Sequence, residues 1–423
     1  MKRDFTSYAI ADFEKFKSQL LNFGKRFSNF CLLDNHEYGF DKSYECLAAV
    51  GSIASITSGG DTHLEQLKDF QHNHEDWIFG HVSYDLKNEI EELVSENPDE
   101  IGFPGFYFFV PETVIILSKE KVEISSFAAQ NTDVVYNSIS STESTYTSSK
   151  KPEFESRFSR EEYIETIKKL QEHIAKGDCY EICFCHEFFA ENAAIDPVHV
   201  FRKLGDISPN PFSAFYKYAD KYLMCASPER FLKKTHNTII SQPIKGTSKR
   251  SAERDETEKS VLQKDEKERA ENIMIVDLVR NDLSKICTEG SVAVKEFLKI
   301  YSFPQVHQMI STISGELKEN ISFAEILAAT FPMGSMTGAP KKRVMELIEQ
   351  YEKTKRGLFS GSVGYIDPDG NFDFNVVIRS ILYNAENKYL SIQAGSAITF
   401  KSIPEKEYEE CNLKIEAMKK ALE

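Results

Sequence analysis

The chain has 423 residues, of which 41% are hydrophobic and 28% charged, and it contains 31 Phe and 18 Tyr. This composition excludes a disordered chain and is typical of a globular protein with a sizeable core, arranged as one large unit or as two to three domains. The net charge of −15 argues against a nucleic-acid partner, because binding to phosphates depends on clustered Lys and Arg.

The N-terminal part of the chain carries no targeting or membrane signal that we recognise. Its first residues, MKRDFTSYAIADFEKF, have two basic residues but no apolar block after them, so we expect a cytoplasmic protein. The most apolar stretch, 101–117, is interrupted by Pro104, Pro111 and Glu112 and is too short and broken to span a bilayer. We interpret it as two buried strands.

A Ser/Thr-rich run, SISSTESTYTSS at 138–149, predicts a linker or an exposed excursion. We therefore divide the chain into an N-terminal segment at 1–137, a linker at 138–154 and a larger segment at 155–423. The larger segment opens with an amphipathic helix that starts after Ser159, a capping residue, and ends near Gly177.

The next stretch, GDCYEICFCHEF at 177–188, contains residue types that bind zinc, namely Cys179, Cys183, Cys185 and His186. Zinc sites usually use a tight Cys-x-x-Cys turn, whereas the large side chains here alternate with period two. We therefore favour a strand with small residues on one face. In a large chain without an export signal, we expect the eight cysteines to be reduced.

Lys245, in SQPIKGTSKR, follows an apolar pair and precedes Gly246, a residue that lets the backbone approach a neighbour closely. Two interpretations remain open from these residues alone. Lys245 is either an edge residue of a strand or a reactive amine.

Two predicted helices, one through KDEKERAENIMIVDLVRNDLSKIC and one at 404–423, each carry a Glu-x-x-Glu motif. The members of each pair share one helical face; they are Glu268 with Glu271, and Glu407 with Glu410. Such pairs are often simply solvated, but two facing pairs would suit Mg²⁺. Lys414 either forms an exposed ion pair with Glu410 or serves an anionic ligand.

The stretch at 361–381 predicts a hairpin that turns at Pro368-Asp369-Gly370. A three-residue loop there pairs 367 with 371, so residues of equal parity share a face and Tyr365 and Arg379 stand together on the polar one. Arg binds planar carboxylates with its two-pronged fork. A solvated sheet face remains the alternative.

Three further features admit a ligand or a structural role. The glycine-bearing loop FPMGSMTGAPKK (331–342) precedes a helix, and AGSA (394–397) follows a strand; each could offer backbone amides to an anion or could simply turn. His307 could act as a base or pack structurally.

The chain resembles the chorismate-utilising enzymes. The resemblance rests on a series of motifs that appear in that family's order: SPERF (227–231), PIKGT (243–247), AENIMIVDLVRNDLSKI (270–286), GSMTGAPK (334–341), GSVGY (361–365), VVIRS (376–380) and EYEECNLK (407–414). LLDN (32–35) and SPNPFSAFY (208–216) are similar too, and the latter resembles the place where relatives bind tryptophan. The resemblance implies an α/β fold of two antiparallel sheets packed as a sandwich, with helices outside and the active site in a cleft.

Within the family, the lysine of PIKGT is typical of the aminodeoxychorismate synthase branch, whose product leads to para-aminobenzoate and folate, whereas anthranilate synthases typically have alanine there. The resemblance implies that Lys245 attacks C2 of chorismate while Glu229 acts as general acid for loss of the C4 hydroxyl. Ammonia then adds at C4 and expels the lysine. We expect burial to lower the pKa of Lys245 and so free its lone pair.

The resemblance also assigns the remaining site residues. Mg²⁺ is expected at Glu271 and Glu410, with Glu268 and Glu407 supporting through water. The enolpyruvyl carboxylate is expected at Tyr365, Arg379 and the amides near Gly395 and Ser396, with Thr337 lining the pocket and Lys414 near the metal.

Ammonia is expected from a separate glutamine amidotransferase subunit. The alternatives are anthranilate synthase component I and a catalytically silent chorismate-binding regulatory subunit. Two residues depart from the family pattern. Gln308 stands where anthranilate synthases have a histidine, so we assign no catalytic role to His307, and Ala397 replaces a glycine.

Overall fold

The computed structural model describes residues 3–38, 43–60, 62–127, 131–143, 150–250, 254–303 and 306–423. Strands and helices follow one another without strict alternation, as the sequence predicts.

The strands in these ranges are β1 Arg3–Ala9, β2 Asn29–Asp34, β3 Cys46–Val50, β4 Ala54–Thr57, β5 Ile78–Val82, β6 Phe106–Val110, β7 Thr113–Leu117, β8 Lys121–Phe127, β9 Glu155–Ser156, β10 Glu181–Ala190, β11 Phe212–Tyr218, β12 Lys221–Ser227, β13 Arg230–Thr235, β14 Thr238–Gln242, β15 Ile244–Lys249, β16 Ala293–Ser302, β17 Val306–Glu316, β18 Gly338–Ala339, β19 Ser362–Ile366, β20 Phe372–Asn375, β21 Ser380–Asn384 and β22 Tyr389–Ile398. The helices are α1 Phe13–Gly24, α2 Gln66–Asn73, α3 Lys87–Glu91, α4 Thr132–Ser140, α5 Arg160–Lys176, α6 Pro197–Ile207, α7 Asp255–Lys264, α8 Glu266–Ile286, α9 Phe323–Thr330, α10 Lys341–Tyr351 and α11 Pro404–Ala421, with short 3₁₀ turns at Tyr84–Leu86 and Gly334–Met336.

Over the described residues the strands form two antiparallel sheets. The first has the order β1-β8-β7-β3-β2-β11-β12-β21-β22-β10-β18, with β9 beside β10, and the second has the order β15-β17-β14-β13-β20-β19-β5-β6-β4, with β16 beside β17. The predicted sandwich of two antiparallel sheets with outer helices is confirmed.

A large apolar core joins the inner faces of the two sheets. His81 of β5 in the second sheet illustrates the contact, because its ring nitrogen lies 3.0 Å from the hydroxyl of Tyr216 in β11 of the first sheet. On the outer face of the first sheet, α1, α4, α6 and α11 cover a second apolar cluster. On the second sheet, α8 packs against β15 and β17. Amphipathic helices thus bury the faces that the sheets would otherwise expose.

Both segments of the chain contribute to both sheets. From the segment at 1–137, β1, β2, β3, β7 and β8 lie in the first sheet and β4, β5 and β6 in the second. The boundaries of the three predicted segments stay predictions. Of the predicted linker, Ser138 to Ser140 belong to α4, and 144–149 lie outside the described residues.

Several predicted elements are present where the sequence placed them. Ser159 caps α5 in a reciprocal capping box with Glu162, and α11 starts with Pro404 in its first turn. The apolar stretch at 101–117 forms β6 and β7, although these two strands lie in different sheets. No helix in the described ranges is both long and apolar enough to cross a membrane.

The prediction of a hairpin at 361–381 is correct at the turn and wrong at the C-terminal end of the second strand. Tyr365 pairs with Asp373 across β19 and β20, as the predicted loop requires. However, β20 ends at Asn375, and the chain crosses to the first sheet, where β21 begins at Ser380. Arg379 lies in this crossing with a φ of +52°, a left-handed conformation that few non-glycine residues adopt. The prediction that Tyr365 and Arg379 share a face was therefore wrong.

Candidate active site

Lys245 lies on β15 with its side chain only 13% exposed, and its Nζ donates a hydrogen bond to Oε1 of Glu181, 3.1 Å away. Glu181 begins β10 in the other sheet and its side chain is 1% exposed. The electrostatic neighbours of Lys245 come from both sheets and two helices. We call them, together with the lysine, the Lys245 cluster: Glu181, Cys183, Glu229, Glu268, Glu271 and Glu410.

The protonation of Lys245 differs from the prediction. Burial does act to lower the pKa of Lys245, but the charges of Glu181 and Glu271 outweigh it and raise the pKa above its ordinary value. The resting lysine is therefore an ammonium ion, and the expectation that burial frees its lone pair was wrong.

Gly246 brings β15 close to α8. Its φ is +90°, and a Cβ added there would lie 3.2 Å from Cβ of Glu268. A side chain at this position would be strained and would push the helix away. The glycine after Lys245 thus keeps the glutamates of α8 near the amine.

Glu229 lies where the chain crosses from β12 in the first sheet to β13 in the second. This crossing runs beside the one that carries Arg379, since Val376 N donates to Glu229 O at 3.0 Å and Ala226 N donates to Arg379 O at 3.1 Å. Glu229 is buried, and its Oε1 accepts a hydrogen bond from Ser335 Oγ at 2.7 Å. Burial raises its pKa to about 7, against the opposing effects of Ser335 and Lys245.

One lysine links the two Glu-x-x-Glu motifs of α8 and α11. Lys267 lies between the two helices, with its Nζ 3.7 Å from Glu271 Oε1 and 3.2 Å from Glu407 Oε1. Burial raises the pKa of Glu271 to about 7, and burial together with Glu410 raises that of Glu268. The solvated-face interpretation fails for Glu271 and Glu407, which are buried.

The donor set suits a hard divalent cation. Oε1 of Glu271 and Oε2 of Glu407 are buried without a hydrogen-bond partner among the described residues, and carboxylate oxygens are the ligands that Mg²⁺ prefers. Over those same residues, no group of three or more His, Cys, Asp or Glu side chains is already drawn together around one point. The glutamates therefore fit such an ion by chemistry and burial, and binding would require the carboxylates around Lys267 to draw together.

A cationic end lies next to these carboxylates. Lys414 is 2.6 Å from Glu410 and donates to the carbonyl oxygen of Gly395 at 2.8 Å. Burial acts to raise the pKa of Glu410, but Lys414 outweighs it and the pKa is lowered. Arg379 is close enough for Glu410 to act on it, although burial lowers the pKa of the guanidinium. Glu410 is thus paired with Lys414 and lies within electrostatic reach of Arg379.

The strand β22 and the turn before β18 supply the remaining predicted residues. Gly395 pairs with Cys185 across β22 and β10, and a Cβ at this glycine would clash with the Cys185 thiol. Ser396 is buried beside it. Thr337 is fully buried, and its carbonyl oxygen accepts a hydrogen bond from Cys183 N at 2.7 Å.

Tyr365 does not join this group. Its ring packs against Tyr44, Trp77 and Phe79. Tyr365 lines a separate cavity with an empty volume of about 570 Å³. The same cavity is lined by Arg230 and by Phe212, which belongs to the segment at 208–216. The predicted contact between Tyr365 and the substrate carboxylate is therefore not supported by its position.

His307 has a structural position. It is fully buried on β17, with Nδ1 2.9 Å from Ser302 Oγ and Nε2 3.2 Å from an oxygen of Asp255 in α7. These contacts tie α7 to the second sheet, in agreement with leaving His307 without a catalytic role.

Cys183, Cys185 and His186 of β10 do not converge on one point. All ten residues of the strand are buried, and Cys183 and Cys185 lie on one face with their sulfurs 3.9 Å apart. His186 packs on the opposite side among aromatic rings. The strand interpretation is confirmed.

Sequence reasoning missed two residues that touch the predicted catalytic pair, Glu181 and Ser335. The period-two pattern of β10 places Glu181 on the same face as Cys183 and Cys185, so alternation could have shown that a carboxylate shares this small-residue face. No local signal indicates that its partner is Lys245, which follows 64 residues later.

Comparison with known proteins identifies a family. The model of the chorismate binding enzymes matches residues 28–420. Anthranilate synthase component 1 of Aquifex aeolicus is 34% identical over 368 residues, covering 82% of this chain and 74% of that protein. Aminodeoxychorismate synthase component 1 of Bacillus subtilis is 32% identical over 361 residues, covering 81% and 76%. The crystal structure of anthranilate synthase component I from Streptococcus pneumoniae superposes with a TM-score of 0.77 at 26% identity, covering 92% of both chains.

Proposed function

The chain belongs to the chorismate-binding enzymes, and from this premise we propose that it converts chorismate and ammonia to 4-amino-4-deoxychorismate, the activity of an aminodeoxychorismate synthase component 1. The observation that carries the proposal is the presence of Lys245 and Glu229 in one cluster, within electrostatic reach of each other. Glu229 is buried, the Lys245 side chain is only 13% exposed, and the charge of the lysine acts on the carboxyl. One supplies a nucleophile and the other an acid in the same cluster.

The first half of the reaction forms a covalent adduct. The neutral amine of Lys245 attacks C2 of chorismate, the ring double bonds shift, and the C4–O bond breaks. Glu229 donates its proton to the departing hydroxyl, which leaves as water. A pKa of about 7 keeps a large fraction of Glu229 protonated at neutral pH, as a general acid requires.

The second half releases the product. Ammonia attacks C4, the double bonds shift back, and the C2–N bond to Lys245 breaks. The amine that forms at C4 gives up a proton to the Glu229 carboxylate, which is thereby restored as an acid. The net change is the replacement of the C4 hydroxyl by an amino group with release of one water.

Substrate binding requires cations because chorismate carries two carboxylates. In our proposal, Arg379, Lys414 and the amides near Gly395 and Ser396 hold the enolpyruvyl carboxylate. Attraction at a few ångströms in a buried site outweighs the distant, screened charge of an acidic protein. We propose that Thr337 contributes to the wall of the substrate pocket.

We further propose that Glu271 and Glu410 hold Mg²⁺, with Glu268 and Glu407 supporting the ion through water. When bound, the ion would neutralise the ring carboxylate of chorismate and orient the ring. Glu271 and Glu407 each have one buried oxygen without a hydrogen-bond partner among the described residues, which supports this assignment.

Ammonia is proposed to come from a glutamine amidotransferase partner. The relatives at 34% and 32% identity are each called a component 1, which names one part of an assembly. Free ammonium salt at alkaline pH would supply the same reactant to the isolated chain.

The test is product identity with chorismate, Mg²⁺ and ammonium chloride, analysed by liquid chromatography and mass spectrometry. We expect 4-amino-4-deoxychorismate from the unchanged protein and a loss of turnover on the order of 100-fold or more in Lys245→Ala, because the covalent route is removed. Lys245→Arg is the matched control, since it keeps the positive charge but offers no free amine.

Two outcomes would redirect the proposal. Direct formation of anthranilate would assign the chain to the alternative represented by the Aquifex relative. A complete lack of ammonia-dependent turnover would favour a silent chorismate-binding subunit.

A further inference from the structure

The Lys245 cluster poses a proton problem that the proposed chemistry leaves open. The lysine is an ammonium ion at rest, and an ammonium ion has no lone pair with which to attack carbon. A proton must leave Nζ before C2–N bond formation and return to it when that bond breaks.

The charged and titratable groups that face Lys245 come from several elements. They are Glu181 and Cys183 on β10, Glu229 at the crossing between the sheets, Glu268 and Glu271 on α8, and Glu410 on α11. Among the described residues, only Glu181 hydrogen-bonds Nζ.

We infer that Glu181 is the positioning residue and proton partner of Lys245, an assignment that rests on the proposed lysine chemistry. The carboxylate holds the amine by the 3.1 Å hydrogen bond, takes one proton from it before attack, and returns that proton to the amine when the product leaves. Glu181 thus first accepts a proton and then donates it, whereas Glu229 first donates a proton and then accepts one.

The backbone around Glu181 is suited to hold its carboxylate in place. Glu181 pairs with Ala339 of β18, and Tyr180 N donates to Ala339 O at 2.8 Å. A Cβ on Gly338 would clash with the carbonyl of Glu181, so the glycine lets this edge strand pack closely against β10. A side chain that is 1% exposed on such a strand has little freedom to move.

The second oxygen of Glu181 gives an independent indication. Oε2 is buried and has no hydrogen-bond partner among the described residues, although buried carboxylate oxygens are nearly always satisfied. A carboxyl that carries a transferred proton acquires a hydroxyl on one oxygen, and this atom is free to take it while Oε1 remains bonded to the lysine.

The other members of the Lys245 cluster already have a proposed role in the reaction or a hydrogen-bond partner. Glu229 protonates the leaving hydroxyl, and the glutamates of α8 and α11 are proposed ion ligands. Cys183 hydrogen-bonds Cys185 instead. Glu181 is left as the group that can serve the lysine without giving up another task.

The experiment compares Glu181→Gln and Glu181→Asp with the unchanged protein. Glutamine keeps size and shape but cannot take a proton, so kcat should fall on the order of 100-fold, as for loss of a general acid–base group, with KM for chorismate little changed. Aspartate keeps the carboxyl on a shorter side chain and should recover part of the rate. Glu181→Gln should cause no further loss in a Lys245→Ala background, because the two residues act as one unit.

A second readout needs no chorismate. Lys245 is acetylated with acetic anhydride over a range of pH, and the labelled peptide is quantified by mass spectrometry. Removing the carboxylate charge should move the midpoint of acetylation to lower pH in Glu181→Gln, so labelling rises while turnover falls. A merely structural loss would not move the two readouts in opposite directions.

The inference is overturned if kcat of Glu181→Gln stays close to that of the unchanged protein, or if kcat falls while the acetylation midpoint does not move. Failure of the proposed function looks different. It appears as the wrong product, or as full turnover in Lys245→Ala, whereas the acetylation midpoint reports the Glu181–Lys245 pair directly.

Discussion

Glu229 combines two opposing influences on its carboxyl. Burial between the sheets raises its pKa to about 7, while the hydrogen bond from Ser335 and the charge of Lys245 act to lower it. An acid that must donate a proton and later recover it works best with a pKa near the operating pH. The position of Glu229, where the chain crosses between the sheets, therefore buries the carboxyl and still leaves it a hydrogen-bond donor, Ser335, and a nearby charge, Lys245.

The first prediction concerns the alkaline limb of activity. Because the protonated form of Glu229 is the general acid, kcat/KM for chorismate should fall above pH 7, by about tenfold per pH unit once Glu229 is mostly ionised. In Ser335→Ala the hydrogen bond that lowers the pKa is absent, so the limb should move to higher pH. The measurement is a pH profile of initial rates at a fixed concentration of free ammonia.

Ser241→Ala is the control for that profile. Ser241 lines the same small cavity as Glu229 and Ser335, but in the described structure its side chain makes no hydrogen bond to Glu229. The alkaline limb of the Ser241→Ala pH profile should match that of the unchanged protein. A downward shift in Ser335→Ala, or equal shifts in both variants, would contradict our account of Glu229.

The sequence and the structure agree on which catalytic candidates lie together, and they differ where a distant part of the chain decides the outcome. Lys245, Glu229 and Glu271 meet in one cluster, as their motifs suggested. The predicted protonation state of Lys245 was wrong because the pKa of the amine is raised by Glu181, which lies on a strand distant in the sequence. The predicted shared face of Tyr365 and Arg379 was wrong because alternate residues share a face only while both strands continue, and β20 ends at Asn375.

Elements with local signals were predictable for a physical reason. The capping box of α5 satisfies backbone groups within a few residues, so the sequence contains both partners. The pairing of β2 with β11 joins residues such as Leu33 and Ala214, which no local pattern relates. Strand order therefore could not be predicted from periodicity alone.

The strand β10 carries a histidine in an unfavourable place for a charge. The ring of His186 packs against Phe158, Tyr163 and Phe188. Neither ring nitrogen has a hydrogen-bond partner among the described residues. Burial, with a small contribution from Lys419, lowers its pKa to about 3, so the imidazole stays neutral in the folded protein.

His186 should therefore make the protein sensitive to acid. Between its ordinary pKa of 6.5 and about 3, the unfolded chain binds a proton that the folded chain does not, so stability falls as pH falls through this range. In His186→Phe this dependence disappears, which is worth about 1.4 kcal/mol for each pH unit below 6.5. Urea unfolding at pH 7.5 and at pH 5.5 measures the difference.

His81→Phe is the matched control. Burial also lowers the pKa of His81 to about 3, but its ring nitrogens lie 3.0 Å from the hydroxyl of Tyr216 and 3.2 Å from the carbonyl oxygen of Pro104. Its replacement should reduce the acid dependence equally while lowering stability at pH 7.5, since buried partners lose their hydrogen bonds. An unchanged pH dependence in His186→Phe would contradict the prediction.

At the scale of the molecule, the two segments divided by the Ser/Thr-rich run are interleaved. In the first sheet β2 lies between β3 and β11, and in the second sheet β5 lies between β6 and β19. The aromatic core is also shared between the two segments, because Phe108 from the first contacts Phe323 and Phe374 from the second. Composition and length allowed several domains, and only the strand order shows that the sheets are shared.

This interleaving leads to a prediction about cooperativity. Without the segment at 1–137, β11 loses its neighbour β2 and β19 loses its neighbour β5, so both sheets gain exposed edges and lose part of their common core. The segment at 155–423 expressed alone should therefore aggregate or stay unfolded, whereas the whole chain should unfold in one transition. Circular dichroism and intrinsic fluorescence, followed through the same urea titration, should give coincident curves.

Co-expression of 1–137 and 155–423 as two chains supplies the control. If the sheets need strands from both, the pair should assemble into a soluble complex with the near-ultraviolet spectrum of the whole chain. A folded, cooperative 155–423 on its own, or two separated transitions in the whole chain, would show that the larger segment is an independent domain. The Lys245 cluster, which draws all its residues from 155–423, would then function without the first segment, whereas the shared sheets predict that ammonia-dependent turnover requires both.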